Sequence, residues 1–278
     1  MVDRYLRPTS PAEAVRLKKE TGGVYLAGGT ELNWRGAPAA DTLISLEGLA
    51  LDFIRVEEEA LVLGPTVTLQ ALADSAEIEA AGLEVLQKAA LGIGSRPIRS
   101  LATLGGNLAS NKSCSDMIPA LWVLDTRLTL SSREGDREVA IGEHVMAHDA
   151  HALIAAIRVP RPAAQTKVAI ERYSRSATDL ALINAAVAVD LDGATVRESR
   201  VALGGVAATV VRVAEAETAL SGADLSDGLD AAIDALRQAV ASAIHPIDDL
   251  RGSAAYKTEI AAELCGRALA ACARGERS

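Results

Sequence analysis

Leu26-Ala27-Gly28-Gly29-Thr30-Glu31-Leu32 and Thr103-Leu104-Gly105-Gly106-Asn107-Leu108-Ala109 are the two stretches on which the reading of this chain turns. Each sets a Gly-Gly pair after an apolar run and before a small polar residue. Glycine reaches positive φ without penalty and lets a ligand approach where a Cβ would stand. Successive backbone N–H groups in such a turn converge on an anion, and a following helix start adds a favourable dipole. Two turns of this kind can hold a pyrophosphate and its riboses between them. Either pair alone is more often just a tight turn. Neither fits G-x-G-x-x-G or G-x-x-x-x-G-K-[ST], so dinucleotide-binding βαβ and P-loop sites are disfavoured. Gly204-Gly205, at the end of a β-rich stretch, reads as structural.

Outward from the first pair, residues 24–27 form a strand and residues 12–20 a helix. Ser10 caps that helix and Pro11 takes its first position. Residues 42–46 and 61–64 read as strands, with Glu57-Glu58-Glu59 as a solvated turn between them. Residues 68–73 and 78–91 have helical periodicity. Strand character resumes at 127–130, 137–141 and 153–159, the first two joined by the turn 133–136. Pro160-Arg161-Pro162 breaks helices and ladders alike and marks an internal boundary. Beyond it come strands at 167–173, 183–190 and 194–203, with Asp192-Gly193 as a hairpin signal. Helices at 214–220, 229–244 and 254–273 follow. The fold class is α+β.

Composition limits what such a chain does. With 49% hydrophobic and 23% charged residues in 278, it is a soluble type of sequence, large enough for one large or two modest domains. A net charge of −9 argues against a nucleic-acid partner, and two Trp, four Tyr and one Phe leave few stacking platforms for bases. Charged residues interrupt every apolar run before it reaches a membrane span, and the first eight residues carry no export signal. Cys114, Cys265 and Cys272 form no paired framework, which fits a reducing, cytoplasmic setting. Cys265 and Cys272 lie seven apart and read as buried helix residues; Cys114 lacks a histidine to activate it. His144, His148 and His151 read as solvated loop histidines, since no further ligand completes a zinc set. Asp249, Arg251 and Ser253 read as capping and surface groups.

With these segments placed, the chain resembles the flavin subunits of the xanthine dehydrogenase, aldehyde oxidase and carbon monoxide dehydrogenase family of molybdenum hydroxylases. Tyr5 to Ala14 is similar to that family's opening "F-x-x-P-x-S-x-x-E-A", and Ala27 to Leu32 to its "A-G-G-T-x-L". Ile98 to Ala109 follows "I-R-N-x-G-T-I-G-G-N-L-A", with Ser100 in place of the Asn, and Asp116 to Leu121 follows "D-x-x-P-A-L". Leu203-Gly204-Gly205-Val206-Ala207 and 249–256 are similar to its C-terminal flavoprotein domain.

The resemblance implies a two-lobed FAD-binding domain over residues 1–162, with lobes of about 1–56 and 57–162, and a smaller α+β domain over 163–278. It implies that Leu26, Ala27, Gly28, Gly29, Thr30, Glu31 and Leu32 wrap the pyrophosphate of a non-covalent FAD. Thr103, Leu104, Gly105, Gly106 and Asn107 would form the other wall of the groove. Asp116 would bond a hydroxyl or an adenine-side group, and Ile154 would touch the cofactor. Some relatives place a cofactor-contacting Lys in the strand written here Ile170-Glu171-Arg172-Tyr173, where Arg172 is the available substitute. The implied activity is electron relay: molybdopterin and two-iron two-sulfur clusters in partner subunits, FAD in this chain, and an acceptor such as NAD. The alternatives are a nucleotide-binding scaffold without catalytic function and a stand-alone flavin reductase.

Overall fold

The computed structural model describes residues 2–34 and 41–275; the last three residues of the expected C-terminal domain, 276–278, lie outside the described residues. The chain opens with β1 (Arg4–Leu6), α1 (Pro11–Thr21), β2 (Val24–Leu26), α2 (Thr30–Trp34) and β3 (Thr42–Ser45). The strands form a parallel sheet in the order β1-β3-β2. The Ser10 hydroxyl accepts the Glu13 N–H at 3.1 Å to start α1, and Gly22, in the left-handed region, ends it. A small core of Ala14, Val15, Ile44, Leu46, Leu49 and Leu51 lies between α1 and the sheet and takes in Leu153 from the second lobe.

That lobe adds β4 (Ile54–Val56), β5 (Ala60–Leu63), α3 (Leu69–Ala73), α4 (Ala76–Ala80), α5 (Glu84–Leu91), α6 (Arg96–Arg99), α7 (Leu104–Ser110) and α8 (Met117–Val123). It closes with β6 (Arg127–Ser132), β7 (Gly135–Ala140), α9 (Ile141–Met146) and β8 (Leu153–Pro160). The antiparallel sheet runs β4-β5-β8-β6-β7. β4 pairs with β5 through the Glu57–Glu59 hairpin, so Ile54–Val56 belongs to this sheet and not to the first. The sequence also hides α6 to α9, each four to seven residues long. Fewer than two turns leave no 3.6-residue period to detect.

After 160–162 come β9 (Thr166–Tyr173), β10 (Ile183–Asp192), β11 (Thr195–Gly204), β12 (Val211–Arg212), α10 (Ala214–Leu220), α11 (Leu229–Ala243) and α12 (Ala254–Arg274). The antiparallel sheet runs β12-β11-β10-β9, and its strand β10 is buried on both faces. Alternate residues of β10 show how. Ile183, Ala185, Val187 and Val189 face the core shared with α10 to α12, where Cys265 and Cys272 are also buried. Burial pushes both thiols up to about 12. Ala186 and Ala188 on the other face join the core of the second lobe, beneath α8. Small residues there let the helix lie close to the sheet.

Polar side chains clamp α8 at both ends. Before it, Gly205 N–H donates to the Ser113 carbonyl at 2.7 Å, and Asn184 Nδ2 donates to the Ser115 carbonyl at 3.0 Å. Gly204 has no room for a Cβ, which would stand 2.1 Å from Asn184 Oδ1. The Gly204-Gly205 pair is thus a structural contact between the two halves. Beyond the helix, Asp125 pairs with Arg200 at 2.9 Å and with Arg212 at 3.5 Å. A helix encoded before the proline boundary is therefore seated on a sheet encoded after it.

Candidate cofactor site

The first glycine segment is a tight turn leaving a parallel strand. β2 ends at Leu26, Gly29 sits at φ +67°, and Thr30 opens α2. Among the described residues, the N–H groups of Gly28, Gly29 and Thr30 meet no protein acceptor. Unpaired donors on one turn are what an anionic ligand requires. Gly28 is glycine for a different reason: a Cβ there would fall 1.7 Å from the carbonyl oxygen of Leu101. That contact brings the two glycine segments together, because Leu101 and Ala102 lead into the second.

The second segment is built otherwise. Thr103 caps α7, its hydroxyl accepting the Gly106 N–H at 3.1 Å, so Gly105 and Gly106 lie in the first helical turn and not in a left-handed one. The Leu104 N–H donates to the Val67 carbonyl at 2.9 Å and the Gly105 N–H to the Pro65 carbonyl at 2.8 Å. A Cβ on Gly105 would stand 2.5 Å from Pro65 Cβ. Its glycines seat a helix against a proline, and its early N–H groups are already spent. The two segments thus differ: the N–H groups of the first turn are open, and those that begin the second are bonded to protein.

Lys112 joins the segments a second time by an ion pair with Glu31. Sequence reasoning missed it, although a lone lysine just beyond the second glycine pair was the available signal. Asn107 stays close to the clamp of α8, its Oδ1 accepting the Ser115 hydroxyl at 2.6 Å. Asp116 lies at the N-cap position of α8, makes no capping bond, and faces the other domain. Its Oδ1 accepts Arg172 Nε at 3.2 Å and Asn184 Nδ2 at 2.8 Å. Burial raises its pKa, against the pull of the Arg172 charge and of the Asn184 and Arg172 hydrogen bonds. Asn184 is the other residue missed; an Asn inside the apolar run 183–189 was its signal.

Arg172, the substitute for the family lysine, is held by three protein groups. Besides Asp116, it donates to Ser174 Oγ at 2.7 Å and to the Asp179 carbonyl. Its side chain packs over Gly92, where a Cβ would stand 3.1 Å from Arg172 Cδ. Arg172, Asp116 and Gly92, with Lys88, Pro119 and Ile170, line a cavity of about 190 Å³ between α5, α8 and β9. Ile154 is buried on β8, in one core with Leu104 and Leu108 of α7, and so stands behind the second segment.

His144 departs from its expectation. It lies on α9, buried, with Nε2 3.4 Å from the Leu108 carbonyl of α7, while its Nδ1 is buried without a partner. It is a support of the second segment and not a solvated loop residue, because a short helix carries its ring inward. Burial lowers its pKa. His148 and His151 are exposed. Among the described residues, no group of three or more His, Cys, Asp or Glu side chains is arranged to hold a metal ion. No described helix is long and apolar enough to cross a membrane.

Comparison with known proteins bears on this geometry. Residues 1–162 match the family described as the FAD binding domain in molybdopterin dehydrogenase, and residues 169–272 match the CO dehydrogenase flavoprotein C-terminal domain. The protein YgfM of Escherichia coli K12 is 34% identical, over 98% of this chain and 97% of its own. The carbon monoxide dehydrogenase medium chain of Afipia carboxidovorans is 32% identical, over 95% and 94%. A solved structure of carbon monoxide dehydrogenase from Hydrogenophaga pseudoflava, lacking the Mo-pyranopterin moiety of the molybdenum cofactor, superimposes with a TM-score of 0.91. It is 31% identical, over 98% of this chain and 97% of that one. The fold is thus shared with known members, and the chain belongs to the FAD-binding medium subunits of the molybdenum hydroxylase family.

Proposed function

We propose that the chain binds FAD non-covalently and relays electrons within a multi-subunit complex. Electrons released from a small substrate at a molybdopterin in one partner would reach this chain through two-iron two-sulfur clusters of another. From here they would pass to an acceptor such as NAD. The observation that carries the reading is the Gly28-Gly29 turn, with its unpaired N–H groups and left-handed Gly29, set directly against Leu101. When bound, FAD supplies the step between two-electron and one-electron chemistry; the protein supplies binding, orientation and electrostatics.

In this reading Leu26 to Leu32 hold the pyrophosphate, and Thr103 to Asn107 wall the groove. Lys112 fixes the gap between the segments through Glu31. Asp116 and Arg172 set the far end, where the carboxylate keeps an acceptor in the cavity and Arg172 holds it in place. No acid or base is asked of this chain.

Acid-released cofactor that runs as FAD, at one per chain, is the expected result; FMN or an empty protein would sink the proposal. The isolated chain should be bleached by dithionite yet keep its flavin oxidised when candidate purines or aldehydes are added. Bleaching by such a substrate without any other subunit would make the chain a stand-alone flavoenzyme.

A further inference from the structure

Arg99, from the Ile98-Arg99 pair, ends α6 with its guanidinium folded back onto α5. Its Nη1 donates to the carbonyls of Leu91, Ile93 and Gly94 at 3.3, 3.1 and 3.1 Å, and its Nε to Gln70 Oε1 at 3.1 Å. Leu91 closes α5, and the last carbonyls of a helix have no partner within it. A guanidinium placed there meets those carbonyls and the negative end of the helix dipole together. The turn it caps is tight. Gly94 lies at φ +51°, and Ile98 closes on it from α6, its Cγ2 3.2 Å from where a Cβ would stand.

Both ends of the cofactor groove hang on this corner. Gly92, between Leu91 and Ile93, is the residue over which Arg172 packs, and it lines the cavity with Asp116. In the other direction α6 leads to Leu101, whose carbonyl lies against Gly28. The N–H groups of Leu101 and Ala102 donate to the Ile98 carbonyl at 3.1 and 2.8 Å, so no slack separates Arg99 from that contact. Gln70 fixes the corner from α3, where it is buried, and the neighbouring Leu69 N–H donates to the Ala102 carbonyl at 2.8 Å.

We propose that Arg99 is the positioning residue that sets the span of the cofactor groove, holding the turn that supports Arg172 at a fixed distance from the Leu101 carbonyl at Gly28. The inference rests on the FAD reading. A ligand held at two ends gains over one held at either, because the second contact is made within one complex; the gain is lost when the ends no longer match its length. Arg99 itself touches no cofactor in this reading and acts through Gly92 and Leu101. Lysine cannot stand in for it. A single ammonium on a flexible stem has no fork with which to hold Gln70 and the turn together.

The test is the dissociation constant of FAD from the full chain, measured for wild type, Arg99→Lys, Arg172→Lys and the double variant. Each single variant should weaken FAD by about tenfold, the first through the span and the second through the far end. FAD in Arg99→Lys already lacks its far-end contact, so adding Arg172→Lys should cost no more than about a further twofold. Losses that multiply to about a hundredfold mean that Arg99 acts independently of that end, and they overturn the proposal. So does wild-type affinity in Arg99→Lys, and so does wild-type affinity in Arg172→Lys, which would leave the groove without a far end. If Arg99→Lys does not fold, Gln70→Met takes away the Nε acceptor alone and enters the same comparison, with the same outcomes read the same way. Wild-type apoprotein that takes up no FAD defeats the FAD reading itself, whatever the variants do.

Discussion

The two glycine segments look alike as sequence and differ as physics. Around Gly28-Gly29 the backbone turns through the left-handed region and leaves donors unpaired. Around Gly105-Gly106 it is helical, and Thr103, Pro65 and Val67 take the donors. Gly28 makes room for the Leu101 carbonyl and Gly29 takes the left-handed turn; Gly105 makes room for Pro65. A Gly-Gly pair therefore states that a Cβ is unwelcome, without saying what stands in its place.

The harshest way to break the comparison is Gly28→Ala. The new Cβ would meet the Leu101 carbonyl, which belongs to backbone and cannot swing aside. A stability loss of about 3 kcal/mol or more is expected, with the cofactor gone, read by denaturant titration and flavin absorbance.

The sharper test pairs Gly29→Val with Gly105→Ala. The left-handed position costs a branched residue about 1–2 kcal/mol, so a folded Gly29→Val protein is expected, with FAD affinity at least about a hundredfold weaker from lost charge-assisted bonds. Gly105→Ala should cost about 1–3 kcal/mol of stability through Pro65, while the folded fraction keeps its flavin. If the second variant emptied the site and the first did not, the pyrophosphate would have to be moved to the second segment.

Lys112→Met removes the ion pair to Glu31 and leaves both backbones alone. FAD affinity about tenfold weaker, with stability changed by no more than about 1 kcal/mol, is the expected outcome by titration. A full-strength site in this variant would show that the groove width does not depend on the pair.

The smallest effect concerns acid. Burial holds the His144 pKa below its ordinary value, so the unfolded chain binds a proton before the folded one does. Stability should then fall as pH drops below about 6.5, by at most about 1.4 kcal/mol per pH unit, until the lower folded value is passed. His144→Gln should flatten the part of the thermal-midpoint curve between pH 7 and 5.5 that this residue contributes. An unchanged curve would mean that other groups carry the acid sensitivity.

Legibility followed length and periodicity. The β10–β11 hairpin, with ten residues in each strand and Asp192-Gly193 at the turn, could be read directly, and so could α1 from Ser10-Pro11. The helices α6 to α9 could not, nor could three-residue β1 and β4, because their conformation is set by neighbours distant in the chain. The same holds at the site. Gly29 was visible because its left-handed turn is local, whereas the reason for Gly28 is the distant Leu101 carbonyl. The reason for Gly105 is Pro65, that for Gly204 is Asn184, and Asp116 meets Arg172 only through the fold. Arg172 was looked for as a cofactor ligand because its strand matched; the structure shows three of its five N–H groups bonded to Asp116, Ser174 and Asp179.

The seat of α8 on β10 and β11 has a consequence for how the protein is made. Ser115 and Asp116 find Asn184 only after about 70 further residues have been added, since the Ser115–Asn184 bond spans 69 positions. At about 5–20 residues per second, the ribosome leaves that loop without its partners for several seconds. Until the second domain is made, the Asp116 carboxylate therefore has neither Arg172 nor Asn184 beside it.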